Sequence, residues 1–234
     1  MILIIRGHIR KSFETKNLYN LVKKIYNIFP DLKIFIHTWN IFSNNISWRG
    51  MEINNQNVND EIINDYFDDL KHLIGHIIID DDKNIKLVGN INGNINNGLS
   101  PIIGWKNYWY GKHKIIDYLY NTKRVNESEV IVNFRFDIMN NSNNFDDIFI
   151  INFIKNNGDI NFTKNMFLFN DEKHLGIDNI YIGNISTMYK LTNKFFYELD
   201  DILSKNNDTI HQEMLVYRIN SILFEVKEPV EPEV

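Results

Sequence analysis

The sequence predicts an α/β domain with a mostly parallel, twisted sheet flanked by helices. Three observations carry this. Ile2 to Ile5 is a short apolar run, and a helical repeat and a second apolar run follow it. Val130-Ile-Val-Asn-Phe-Arg-Phe136 reads as a strand buried on both faces. The chain of 234 residues, 44% of them hydrophobic, is long enough for one large α/β domain.

The elements follow in order. After the first strand, Arg6 to Lys11 is an exit loop, and Ser12 or Thr15 is placed to cap the next helix. In that helix Leu18, Leu21, Val22, Ile25 and Ile28 recur at helical spacing and stop before Pro30. Lys33 to His37 is strand two. This βαβ start favours parallel strands joined by right-handed crossovers. Residues 44–59 are polar and loop-like, and Asp60 to Leu73 reads as one amphipathic helix. Ile77 to Ile79 is strand three. Leu87 to Gly104 is a long loop, with room for a hairpin. Lys106 to Tyr120 is helical, and Val130 to Phe136 is strand four. Ile148 to Ile154, Asp159 to Thr163 and Met166 to Phe169 read as short strands or a helical turn. Met188 to Leu203 and His211 to Phe224 are helices. The acidic, proline-bearing end reads as a frayed tail.

Composition excludes several classes. A net charge of −5 argues against a nonspecific nucleic-acid binder. With no cysteine, disulfides and thiolate metal sites are ruled out. No apolar run approaches the length of a membrane helix. The opening Met-Ile-Leu-Ile-Ile is too short for a signal-peptide core and is followed, not preceded, by charge.

The candidate chemistry lies at strand ends. Arg135-Phe136-Asp137 closes strand four and places a cation and an anion at the carboxyl edge, where open α/β sheets bind ligands. Read blandly, the two are only an ion pair. Arg6-Gly-His-Ile-Arg10 ends strand one; Gly7 lets backbone approach a ligand, and the two arginines can clamp a diphosphate. The plain alternative is a solvated basic loop. His37, Thr38 and Trp39 end strand two and can line a nucleotide pocket, although a histidine at a strand end is often structural. Asp80-Asp81-Asp82 resembles a metal motif but is followed by Lys83-Asn84 and reads as a turn. Trp105, Trp109 and Lys112 share one helix face, Trp109 as core.

These segments, taken in order, carry a resemblance. They are Ile2-Leu-Ile-Ile-Arg-Gly-His-Ile-Arg10, Ile34-Phe-Ile-His-Thr-Trp-Asn40, Trp105-Lys-Asn-Tyr-Trp-Tyr-Gly-Lys-His-Lys-Ile-Ile-Asp-Tyr-Leu119, Gly176-Ile-Asp-Asn-Ile-Tyr-Ile-Gly183 and His211-Gln-Glu-Met-Leu215. Their order and spacing resemble small bacterial and viral sugar-nucleotide glycosyltransferases of the GT-A type, which build capsules and lipopolysaccharide. The resemblance implies a GT-A-like, Rossmann-like domain over residues 1–225, with a flexible tail over 226–234. It implies a cytoplasmic enzyme, without a transmembrane segment but free to touch the membrane's inner face. Such an enzyme moves a sugar from a nucleoside diphosphate sugar to a glycan or lipid-linked glycan acceptor.

It further implies that Arg6, Arg10 and Arg135 neutralise the diphosphate and that Tyr110 and Lys114 lie beside the donor. Asp137 would hold Mg²⁺ or Mn²⁺. The family's usual motif is Asp-x-Asp, and Arg135 stands at its first position, which puts metal dependence in question. An inverting transferase needs a general base near the acceptor hydroxyl; Asp178 is the first candidate and Glu213 the second. Two rivals stay open. One is a nucleotide-sugar or carbohydrate binder of the same fold without turnover. The other is a nucleotidyltransferase or phosphatase-like enzyme using Arg6, His8 and Asp80 to Asp82.

Overall fold

A computed structural model describes residues 1–46, 52–95, 100–140, 145–158, 161–168, 179–206 and 212–225. Its centre is a six-stranded sheet. The elements run β1 (Ile2–Arg6), α1 (Asn17–Ile28), β2 (Lys33–Trp39), then an antiparallel ribbon of β3 (Ile41–Ser43) and β4 (Asn54–Asn57). They continue with α2 (Asp60–Phe67), β5 (Ile74–Asp80), a second ribbon of β6 (Asn94–Ile95) and β7 (Ser100–Pro101), α3 (Ile102–Asn121) and β8 (Ile131–Arg135). Last come α4 (Asp147–Asn157), β9 (Met166–Phe167), β10 (Ile180–Gly183), α5 (Ile185–Asn206) and α6 (Gln212–Phe224).

The sheet order is β5-β2-β1-β8-β10-β9. β5, β2, β1 and β8 are parallel neighbours, and β10 runs antiparallel to both β8 and β9. Strand alternation divides the core in two. Leu3, Ile5, Ile34, Ile36, Val132 and Phe134 face the layer built by α1, α2 and α4. Ile2, Ile4, Phe35, Ile131 and Tyr181 face α3, α5 and α6. β1 is buried along its whole length, as a parallel strand covered on both faces must be.

The early βαβ unit and strand four appear where the sequence places them. Four local expectations change. α1 starts at Asn17 and has no side-chain cap; Ser12 is buried instead, and the Thr15 hydroxyl accepts from the Asn17 amide at 3.4 Å. The helix expected over residues 60–73 breaks at Asp68, whose φ of +52° is left-handed, and continues as a 3₁₀ turn. The stretch around Ile148, read as a short strand or a helical turn, is the longer helix α4, begun by the Asp146 carboxylate accepting from the Phe149 amide at 2.6 Å. β5 is longer than expected, running Ile74–Asp80.

Candidate functional site

In this strand order the chain builds outward from β1 through β2 to β5, then returns to place β8 on the other side of β1. The crevice above the carboxyl ends of β1 and β8 is therefore a topological switch point, where ligands of open α/β sheets bind. Cross-strand register puts His37, Arg6 and Arg135 in one row at that edge. Alternation turns all three to the α3 side of the sheet, the side of Ile2, Ile4 and Phe35.

A cleft of about 1100 Å³ of empty space, partly open to solvent, lies over this row. Arg6, Gly7, His8, Arg10, His37, Trp39, Arg135, Asp137 and Glu213 all line it, with the first three turns of α3 as one wall. Among the described residues its charged lining is three arginines and two carboxylates. The α3 N-terminus, reaching the cleft through Ser100, Pro101 and Gly104, adds positive potential.

The exit of β1 is shaped to return both of its arginines to the cleft. Gly7 has a φ of +93° and Arg10 one of +53°. The Gly7 carbonyl accepts from the Thr38 hydroxyl at 2.9 Å, and the Arg10 amide donates to Phe42 at 2.8 Å. Thr38 is fully buried and serves this clip rather than the cleft wall. Arg6 is 2% exposed; its Nε donates to Asn133 at 2.6 Å, its Nη2 to the Tyr108 hydroxyl at 3.1 Å, and its guanidinium lies 4.7 Å from the Tyr108 ring centre.

Asp137 sits in the 3₁₀ turn that follows β8. Arg135 grips it with Nε on Oδ1 and Nη2 on Oδ2, both at 2.7 Å, while Arg10 donates to Oδ2 at 2.5 Å. Arg135 also donates to Asn179 at 3.0 Å. Burial alone would raise the Asp137 pKa, but the charges and hydrogen bonds of Arg135 and Arg10 outweigh it and hold the group at about 2. The carboxylate is ionised at neutral pH, with both oxygens engaged. A dication there would sit against two guanidiniums. Unit charges 4 Å apart repel by about 4 kcal/mol at an effective dielectric of roughly 20, and a double charge doubles that. Among the described residues, the donor set around Asp137 does not fit Mg²⁺ or Mn²⁺.

His37 is fully buried. Its Nε2 lies 3.2 Å from Asp80 Oδ2, which also accepts from the Tyr110 hydroxyl at 3.1 Å. A carboxylate only accepts, so Nε2 carries the proton and Nδ1 is left as an acceptor. Burial lowers the His37 pKa despite the Asp80 bond, and the ring is neutral. A Cβ on Gly111 would lie 2.7 Å from His37 Nδ1, so α3 reaches this ring only because position 111 is glycine. His8 packs on Trp39 with ring centres 5.7 Å apart; burial, reinforced by the Arg10 charge, lowers its pKa to about 3. Three buried polar groups of the cleft, the Asn107 amide, His37 Nδ1 and His8 Nε2, have no hydrogen-bond partner among the described residues. Such groups require an explanation, and a polar ligand supplies one.

The structure thus gathers Arg6, Gly7, Arg10, His37, Trp39, Arg135, Asp137 and Glu213 at one cleft. Tyr110 and Lys114 do not line it. Tyr110 bonds Asp80 behind His37, and Lys114 is exposed further along α3. The Asp80 to Asp82 run also stays outside. Asp80 holds His37, Asp81 accepts from the Lys83 amide at 3.0 Å, and Asp82 accepts from Asn44, itself a cleft residue. Asp178 and His211 lie outside the described residues, as do Trp48 and Arg49. Sequence reading missed Asn107, Tyr108 and Asn133. Gly104, Tyr108 and Gly111, spaced four and three residues apart, are the signal on α3 for a helix face approached closely by other groups. Among the described residues no helix is long and apolar enough to cross a membrane. No protein-family model, curated protein or solved structure matches this chain.

Proposed function

We propose that this protein is a glycosyltransferase of GT-A-like architecture, moving a sugar from a nucleoside diphosphate sugar to a hydroxyl of a glycan or lipid-linked glycan. The observation that carries this reading is the convergence of Arg6, Arg10 and Arg135 with the carboxylate of Glu213 on one cleft at the sheet's switch point. A departing nucleoside diphosphate gains negative charge as the glycosidic bond breaks. Preorganised guanidiniums meet that charge without having to reorganise. Glu213 is the general base for the acceptor hydroxyl, and Asp178 keeps its candidacy from sequence. The buried polar atoms of Asn107 and His37 suit the neutral, hydrogen-bonding part of the donor.

The phosphatase-like alternative has Arg6 and His8 on the cleft, but Asp80 to Asp82, the carboxylates it calls on, stay off the cleft wall. The deciding experiment is a thermal-shift screen of nucleoside diphosphates and their sugars, followed by acceptor-dependent release of nucleoside diphosphate. At a ligand concentration of about 100 times Kd, binding adds roughly 2.7 kcal/mol and lifts Tm by several degrees. Stabilisation by one donor together with acceptor-dependent release is expected. No stabilisation by any nucleotide would remove the reading. Stabilisation without turnover across an acceptor panel would leave a binding protein.

A further inference from the structure

We infer that Arg10, Asp137 and Arg135 form a metal-free receptor for a diphosphate, in which Asp137 is a positioning residue and not a metal ligand. The inference rests on the transferase reading for the identity of the full donor. The receptor itself is argued from geometry alone. One carboxylate holds two guanidiniums that come from different parts of the chain, one from the loop after β1 and one from the end of β8. Without it the two cations would repel and their side chains would spread among rotamers. With it they are held as one unit, both guanidiniums donating to the same carboxylate. Arg6 lies in register with Arg135 on the neighbouring strand and extends the cationic row.

A diphosphate presents anionic oxygens on two adjacent phosphorus atoms. Guanidinium forks bind such oxygens through paired N–H donors, with more directional demand than a spherical cation makes. In an Asp-x-Asp site, the carboxylates recruit a metal and the metal binds the phosphates. Here the first carboxylate is replaced by Arg135, and the second is occupied by Arg135 and Arg10. The cation that a metal would bring is built into the chain.

Inorganic pyrophosphate is the probe, because it tests the receptor without a nucleoside or sugar. Calorimetry on the wild-type protein is run in excess EDTA and again with Mn²⁺. Binding in EDTA, changed by less than about threefold when Mn²⁺ is supplied, is expected. Loss of one charge-assisted contact corresponds to roughly tenfold or more in affinity, so Arg135→Gln and Arg10→Gln should each weaken pyrophosphate by that much in EDTA. Asp137→Asn should weaken it too, and Asp137→Glu should recover part of the loss. Pyrophosphate affinity that appears only with Mn²⁺, with Asp137→Asn removing that gain and changing nothing in EDTA, would overturn the inference. So would arginine variants that bind as the wild type does, or no pyrophosphate binding under either condition. A receptor that behaves as expected in a protein inert toward all sugar nucleotides would keep this inference and remove only the transferase reading.

Discussion

Arg135 and Asp137 are two residues apart in sequence and meet through two parallel hydrogen bonds of 2.7 Å, with Arg10 closing on the same carboxylate from another loop. Removing the anion from this triad leaves two guanidiniums facing each other in a partly buried site. Asp137→Asn is therefore expected to destabilise the fold by about 3–5 kcal/mol at neutral pH. The pH dependence follows from the depressed pKa. A carboxylate held below its unfolded value contributes stability that is present above that value and lost as pH falls through about 2. Chemical denaturation of both proteins across pH should show the gap narrowing in that acid window by roughly 2 kcal/mol, the linkage of a shift from 3.8 to about 2. A gap that does not narrow there would mean the variant perturbs the fold by another route.

His8 titrates in the opposite chemical sense. It is a base whose protonated form the fold disfavours, with a pKa brought down to about 3. Below the ordinary histidine value the unfolded chain takes up a proton that the folded chain refuses, so stability falls with pH until about 3. His8→Phe keeps an aromatic ring on Trp39 and removes the titration. Its stability relative to wild type should improve steadily as pH drops below roughly 6.5, by at most about 1.4 kcal/mol per pH unit. A pH-independent difference in melting free energy would show that His8 is solvated.

Gly111→Ala tests the closeness of α3 to His37. In an ordinary helix interior this change gains about 1 kcal/mol. Here the added methyl meets His37 Nδ1 at 2.7 Å, and His37 cannot swing away because it is fully buried and bonded to Asp80. The expected result is a net loss of about 1–3 kcal/mol. Weaker ligand stabilisation should accompany it. A gain in Tm would mean that the ring yields easily.

Asn107→Leu should separate stability from binding. The Asn107 amide is 6% exposed and its nitrogen and oxygen have no partner among the described residues. Replacing it with an apolar group of similar volume removes a desolvation penalty of about 1–3 kcal/mol from the unliganded protein. The variant should melt higher alone and gain less from the donor that stabilises the wild type. Equal gains in both proteins would place Asn107 outside the binding surface.

Glu213→Gln keeps shape and removes the base. It should preserve donor affinity and lower acceptor-dependent turnover by about 10²–10⁴-fold. A variant that turns over normally would return the role to Asp178.

Much of this architecture was legible because its signals are local. β1, α1, β2 and β8 announce themselves by apolar period, and a strand end marks the sheet's ligand edge. Arg6, Arg10, Arg135 and Asp137 could be named from that rule alone. The type of α4 stays open in the sequence because Ile148 to Ile154 is apolar nearly throughout, so neither period stands out, and only the Asp146 cap marks its start. Asn107 and Tyr108 were missed because a helix gives no sign of which side faces a cleft until its partner strands are ordered. That Lys114 stands off the cleft has the same origin. It follows Tyr110 by one turn in sequence, but that turn runs down the helix, away from the sheet's carboxyl edge.

The reversed direction of β10 has a practical consequence for protein engineering. Because it runs against β8, its beginning rather than its end arrives at the ligand edge, and so Asn179, just ahead of Ile180, can reach Arg135. Chain added before β10 would crowd the cleft. The connection between α3 and β8 lies at the other edge of the sheet, and residues 126–128 within it are exposed. An epitope or reporter spliced in after Glu127 would hang from the far side of the molecule, a handle for immobilisation that leaves the cleft facing solution.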